Sequence, residues 1–240
     1  MPFQEVLPGV KIIGLWQENA WLLYRGDDAV LIDTGIRWDR KSLMAGLEQE
    51  LGHLKKLRLI LQTHAHCDHA GNTAYLRENF GCKIAIHSLE APFLTTRKTY
   101  IPLGIGAISP RGVCFAVGEV IFPVERCPVD EILTEGDLIA TPIGPLRVIL
   151  TPGHTIGHIS FFNEENGWLF SGDAIINVIP WLRKTALCLP VPVFSVDMSI
   201  AKQSACKLAD LRPTALLAQH GHPRLQNVAD DLLAFVQEYR

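Results

Sequence analysis

A short apolar run closed by a turn residue recurs along the chain, and the period inside each run separates strands from helices. WLLYR and AVLID, joined by GDD, read as a β-hairpin, with glycine and aspartate in the turn and β-branched and aromatic residues in the strands. The second strand runs into DTG at 33–35. Helical spacing follows in DRKSLMAGLEQEL (39–51), where Asp39 is placed to cap the start and Gly52 the end. RLILQ reads as a short buried strand, followed by a His-rich loop, a helix from about Gly71 to Phe80 that Gly81 stops, and another strand, KIAIH. From Ala91 to Asp130, proline, glycine and apolar residues without a clean period predict irregular structure or short helices. LRVILT, ISFFN and GWLFSG form a second set of strands; a helix after Asp197, a strand ALLAQ and a last helix from about Arg224 close the chain. Strands alternating with helices in each half, with hairpins inside, predict an α/β fold of two mixed sheets covered outside by helices. A four-layer αββα sandwich fits that count. No internal repeat, low-complexity tract or polar linker divides residues 1–240, so one domain is expected.

Composition narrows the function more than the fold. An apolar fraction of 48% and a charged fraction of 20% exclude a largely disordered chain, and a net charge of −3 offers no electrostatic footprint for nucleic acid. The start, MPFQEVLPGVKIIGLW, lacks the basic segment, apolar run and cleavage site of a secretory signal. The apolar stretch from Ile101 to Val124 is broken by Pro110, Arg111 and Glu119 and makes a poor membrane span. The six cysteines, Cys67, Cys82, Cys114, Cys127, Cys188 and Cys206, contain no CxxC pair and read as reduced, mostly buried thiols of a cytoplasmic protein.

The chemistry is concentrated at strand ends. In THAHCDHAG (63–71), His64 and His66 stand two apart in an extended segment and face the same way, while Ala65 faces the other. Two converging imidazoles make a metal chelate, and Asp68 and His69, where the backbone turns into the helix, reach a second point a few ångströms on. His154 after LRVILTPG, Asp173 after WLFSG and His220 after ALLAQ repeat the setting, a ligand-type residue at the carboxyl end of a buried strand. Crowding three histidines and a carboxylate together without a cation would be electrostatically wasteful, which points to metal binding.

These residues resemble the metallo-β-lactamase superfamily, in order along almost the whole chain: LIDTG at 31–35, THAHCDH at 63–69, TPGHTIGH at 151–158, FSGD at 170–173 and QHGH at 219–222. The resemblance implies an αββα fold with a two-metal site. Carried over by position, His64, His66 and His154 hold the first metal, Asp68, His69 and His220 the second, and Asp173 bridges both. It also implies that Asp33 braces the His-rich loop. Cys67 is expected to pack rather than ligate, and His158 and His222 to be supporting or structural groups, since metal-bound histidines need their other nitrogen held. The donor set, nitrogen and oxygen without cysteine, fits zinc and is compatible with iron and manganese.

Two such cations would share a hydroxide nucleophile, which Asp68 is placed to orient and whose proton it is placed to accept. The expected reaction is hydrolysis of an activated acyl bond in a small molecule: thioester, lactone, ester or β-lactam. The ligand set and TPGHTIGH resemble glyoxalase II, but only residues 223–240 follow His222, and AIINVIPWLRKT after Asp173 lacks that enzyme's Gly-Cys-Gly-Arg. Acyl-homoserine lactonases carry a tyrosine where this chain has Ile176. The best known β-lactamases have cysteine or serine at the place of Asp173. Persulfide dioxygenases, with one iron on two histidines and an aspartate, are the alternative outside hydrolysis. Phe93, Tyr100, Phe115 and Phe122 in the segment 92–127, with Ile179, Trp181 and Leu182, suggest a cover for the cleft that selects an apolar acyl group, with an oligomer interface such as a homodimer surface, or ordinary core, as the alternatives.

Overall fold

The apolar runs pair into two sheets, one of seven strands and one of five. The computed structural model describes residues 3–15, 18–52, 56–96, 98, 123–179, 182 and 184–240. They form two units: Met1–Tyr100, Ala116–Leu133 and Ala140–Gly144 in the first, and Ile101–Phe115, Thr134–Ile139 and Pro145–Arg240 in the second. Tyr100, Cys114, Phe115, Phe122 and Trp181, and with them most of the expected cover, lie outside the described residues. No helix among the described residues is long and apolar enough to cross a membrane.

In the first unit, β1 (Gln4–Leu7), β2 (Val10–Gly14), β3 (Asn19–Arg25) and β4 (Asp28–Ile32) form an antiparallel meander. The β3–β4 hairpin is the expected one, with Gly26 taking φ 56 in its turn. Beyond β4 the sheet turns parallel through β5 (Leu57–Leu61), β6 (Lys83–His87) and β7 (Glu131–Leu133). Helix α1 (Arg40–Leu51) makes the crossover from β4 to β5, and Gly52 ends it at φ 57 as its sequence position implied. Ala20 to Leu23 and Ala29 to Ile32 are wholly buried, so these strands read as continuous apolar runs. Each large aliphatic side chain buried there contributes about 1.5–3 kcal/mol.

The helix expected from about Gly71 to Phe80 is α3 (Thr73–Phe80), with Gly81 at its end as expected, and a separate short helix, α2 (Cys67–Ala70), precedes it. The break lies at Gly71, where the backbone passes so close that a Cβ would stand 2.5 Å from the Cys67 carbonyl oxygen and 2.6 Å from the Arg37 nitrogen. After β6, the described residues of the proline-rich region contribute one short helix, α4 (Ala91–Thr95). Asp130 ties α3 to the sheet: its Oδ1 accepts from Arg77 Nη2 at 3.0 Å and its Oδ2 from the Ile84 N–H at 2.8 Å. The Arg77 hydrogen bond holds this carboxyl below its ordinary range. A folded-state value below the unfolded one means a contribution present above the ordinary carboxylate range and lost as pH falls through the folded value. Asp130→Asn is therefore expected to cost about 1 kcal/mol at neutral pH. In urea denaturation across a pH series, the gap to wild type should close in acid.

The five-stranded sheet has the order β12-β11-β10-β9-β8. Its strands are β8 (Leu138–Thr141), β9 (Gly144–Leu150), β10 (Ile159–Asn163), β11 (Trp168–Gly172) and β12 (Ala215–Ala218). Helix α5 (Met198–Asp210) starts where the sequence placed it, with the Asp197 carboxylate accepting from the N–H groups of Ser199 and Ile200. It buries Ala201, Ser204, Ala205, Leu208 and Ala209, a stripe at helical spacing. Of these, Ala205, Leu208 and Ala209 pack with Ile149, Leu169, Leu216, Leu232 and Val236 into one core. The last helix, α6 (Val228–Val236), begins later than the expected Arg224. Arg224 exchanges backbone hydrogen bonds with Leu216, both at 2.9 Å, and so continues the sheet edge rather than a helix.

Candidate metal centre

In the first unit, β4, β5 and β6 are neighbouring parallel strands, so their carboxyl ends lie along one edge. The loop after β5 carries His64, His66, Asp68 and His69 to that edge. The rings of His64 and His66 have centroids 4.6 Å apart, those of His64 and His69 4.0 Å, and His69 Nε2 lies 3.9 Å from Asp68 Oδ2. His64, His66 and His69 are buried, whereas the Asp68 side chain keeps 27% of its surface in solvent.

Asp33, at the end of β4, braces this loop as the resemblance implied. Its Oδ1 accepts from the Thr63 N–H at 2.9 Å, and its Oδ2 accepts from the Thr63 hydroxyl at 2.8 Å and from His69 Nδ1 at 2.9 Å. The Thr63 hydroxyl, its proton committed to Asp33, can only accept from His64 Nδ1 at 3.0 Å. The network thereby assigns the Nδ1–H tautomer to His64 and His69 and leaves Nε2 as the lone-pair nitrogen of each. Asp33 takes φ 57, a left-handed conformation that aspartate tolerates better than most residues.

The second unit reaches the same arrangement by another route. β9, β11 and β12 run the same way, since β9 and β11 are each antiparallel to β10 and β12 is parallel to β11. His154, Asp173 and His220 follow the carboxyl ends of these three strands and so meet at one edge. His154 Nε2 lies 3.4 Å and His220 Nε2 3.3 Å from the same oxygen, Asp173 Oδ2. The Ser195 hydroxyl donates to the Val191 carbonyl at 2.9 Å and so accepts from His154 Nδ1 at 3.2 Å. That leaves the Nε2 lone pair of His154 facing a carboxylate oxygen, an arrangement a cation between them relieves. Metal bonds of about 2.1 Å in tetrahedral geometry set neighbouring donor atoms about 3.4 Å apart, so the spacing fits a ligated ion.

His158 supports the site rather than joining it. Its Nε2 accepts from the backbone N–H of Asp173 at 2.9 Å, and its Nδ1 donates to the Thr151 hydroxyl at 2.8 Å. The ring of His222 is exposed, and it is the His222 carbonyl that accepts from Asn177, at 2.7 Å. Cys67 is buried at the start of α2. Cys82, Cys127, Cys188 and Cys206 are not disulfide-bonded, and burial pushes the thiols of Cys82 and Cys127 up to about 11.

Sequence reasoning missed several groups that shape these loops. Ser195 reaches His154 from 41 positions away. Asn72 donates from its amide to the carbonyls of Thr34 and Ile36 at 2.8 and 2.9 Å, which holds the DTG turn against the loop. Glu90 accepts from the Ala65 N–H at 3.0 Å. Each is a polar residue in an ordinary local pattern, and only an apolar strand ending nearby hinted at Glu90.

Known proteins resemble the chain along most of its length. The family model described as Metallo-beta-lactamase superfamily matches residues 13–220. "Probable metallo-hydrolase YflN" of Bacillus subtilis (strain 168) is 32% identical over 217 residues, covering 85% of this chain and 79% of its own. A hydroxyacylglutathione hydrolase of Bdellovibrio bacteriovorus is 30% identical over 174 residues, which is 70% of this chain but only 53% of that enzyme. The crystal structure of a metallo-beta-lactamase family protein from Thermus thermophilus superposes with a TM-score of 0.72 at 24% identity, over 97% of this chain and 80% of the other. That likeness shows the fold, the α/β sandwich of the metallo-β-lactamase class expected from the sequence. With residues 13–220 matched and a relative 32% identical across 85% of this chain, the chain belongs to the metallo-β-lactamase superfamily.

Proposed function

We propose that the protein is a metal-dependent hydrolase of an activated acyl bond in a small molecule: a thioester, lactone or ester. The observation that carries this reading is the Asp173 carboxylate oxygen lying 3.4 and 3.3 Å from the Nε2 atoms of His154 and His220, in a chain of this superfamily. In this reading His64, His66 and His154 hold one divalent ion and Asp68, His69 and His220 a second, with Asp173 shared between them. Zinc suits the donor set, and iron and manganese are compatible with it. Bound divalent ions supply Lewis acidity and bring the pKa of a water down toward about 7.

The chain's own groups do the rest. Asp68, with 27% of its side chain exposed against 0% for His69, is suited to take a proton from the attacking water and pass it to solvent. Asp33, Thr63 and Ser195 hold three imidazoles in the tautomer that leaves Nε2 basic. A relative named hydroxyacylglutathione hydrolase, 30% identical, supports an acyl substrate.

The test is a panel of thioester, lactone, ester and β-lactam substrates, run beside elemental analysis of protein purified without added metal. About two ions per chain are expected. Hydrolysis should fall by about 100-fold or more in His66→Ala and in Asp173→Ala. Activity surviving both substitutions would overturn the reading, and so would a single iron with oxygen uptake and no hydrolysis.

A further inference from the structure

We propose that Glu90 is a positioning residue of the metal centre: from beyond the end of β6 it fixes the peptide between His64 and His66 and so sets the separation of the two imidazoles. The inference rests on the metal-binding reading above.

The parallel order β4-β5-β6 places β5 between two neighbours whose carboxyl ends share its edge. Each neighbour sends a carboxylate to the loop that follows β5. From the β4 side, Asp33 takes the N–H of Thr63 at 2.9 Å. From the β6 side, a turn closed by the Glu90 N–H on the His87 carbonyl, 3.0 Å, brings Glu90 Oε2 to 3.0 Å from the N–H of Ala65. Thr63 and Ala65 are two positions apart, so the two acids pin alternate peptides with His64 between them. Ala65, flanked by the two chelating histidines, is itself buried, and its peptide has little room to shift.

Two further observations separate this role from filler. Glu90 stands at the N-cap position of α4 but makes no side-chain capping bond there. Its carboxylate is committed to the loop instead. Glu90 is also wholly buried, and a buried carboxylate costs several kcal/mol unless it is well hydrogen-bonded. An aliphatic side chain would fill the volume without that cost. The platform is anchored in turn: Leu94 of α4 is fully buried and its carbonyl accepts from the Cys127 N–H at 3.0 Å.

The experiment measures zinc affinity of the full chain by competition with a chromophoric chelator, alongside thermal unfolding of the metal-free protein. Glu90→Ala is expected to raise the zinc Kd by about 10–100-fold. Glu90→Gln, which keeps an acceptor oxygen for the Ala65 N–H, is expected to stay close to wild type. Should Glu90→Ala not fold, Glu90→Asp carries the same comparison, since it keeps the charge but is one methylene short of Ala65 and is expected to bind weakly. Folded Glu90→Ala with wild-type zinc affinity, whatever its melting temperature, overturns the proposal. Glu90→Gln binding as weakly as Glu90→Ala overturns the hydrogen-bond basis for it. Wild-type protein that takes up neither zinc nor, in the same assay, iron(II) or manganese(II) overturns the metal-binding reading itself.

Discussion

Asp33→Asn is expected to leave the protein folded and its metal affinity lowered by about 10–100-fold, whereas Asp33→Ala should damage both. The difference follows from which atoms Asp33 serves. Alanine removes the acceptors for the Thr63 N–H, the Thr63 hydroxyl and His69 Nδ1, all in a fully buried place. Each buried donor left without an acceptor costs about 1–3 kcal/mol, and alanine at the left-handed φ of 57 adds about 1 kcal/mol. A loss of about 3–5 kcal/mol in denaturant unfolding is the expected sum. Asparagine tolerates the same φ and keeps one oxygen for the Thr63 N–H, so its cost in stability should be nearer 1–2 kcal/mol, roughly one lost hydrogen bond to a charged group. Its amide, however, points a donor at His69 Nδ1, and the ring answers by moving its proton to Nε2, the nitrogen needed for the metal. Wild-type zinc affinity in Asp33→Asn would show that Asp33 does not set the His69 tautomer.

The second large effect is expected at Gly153. A Cβ there would stand 2.2 Å from the nitrogen and 2.5 Å from the Cα of Ala201, in the first turns of α5, at a φ of +124 that side chains rarely adopt. Backbone cannot give way as a side-chain tip can, so the helix and the loop carrying His154 must separate. They are stitched together at this point: the Asp197 N–H donates to the Gly153 carbonyl at 2.8 Å and the Val196 N–H to the His154 carbonyl at 3.1 Å. Gly153→Ala is therefore expected to cost more than about 3 kcal/mol and to lower Tm by about 6–12 °C. Gly52→Ala and Gly81→Ala provide the contrast, since both glycines have positive φ but nothing within 4 Å of the added carbon. Their expected cost is about 1 kcal/mol each, the conformational part alone. Gly153→Ala melting with those two would refute the close-approach argument, and a differential scanning experiment on the three variants decides it.

What the sequence determined by itself is local. His64 and His66 face one way because the period of an extended chain is two, a relation needing no knowledge of what lies across the sheet. The hairpin around Gly26, the stop at Gly52 and the start of α5 after Asp197 were legible for the same reason, each being set by a few consecutive residues, whereas Asp39, expected to cap α1, makes no side-chain capping bond. His154, Asp173 and His220 were legible because an apolar run marks a buried strand and its end marks an edge. Beyond that hairpin, tertiary structure alone decided which strands would be neighbours. The parallel run β4-β5-β6 brings Asp33 and Glu90 to the two sides of one loop from 30 and 25 positions away, and the common direction of β9, β11 and β12 joins His154, Asp173 and His220 on one edge. The same is true of Ser195 beneath His154 and of Arg224, whose pairing with Leu216 postpones the last helix. A hydrogen bond between distant segments depends on strand order and direction, and nothing in the residue types of Glu90 or Ser195 records either.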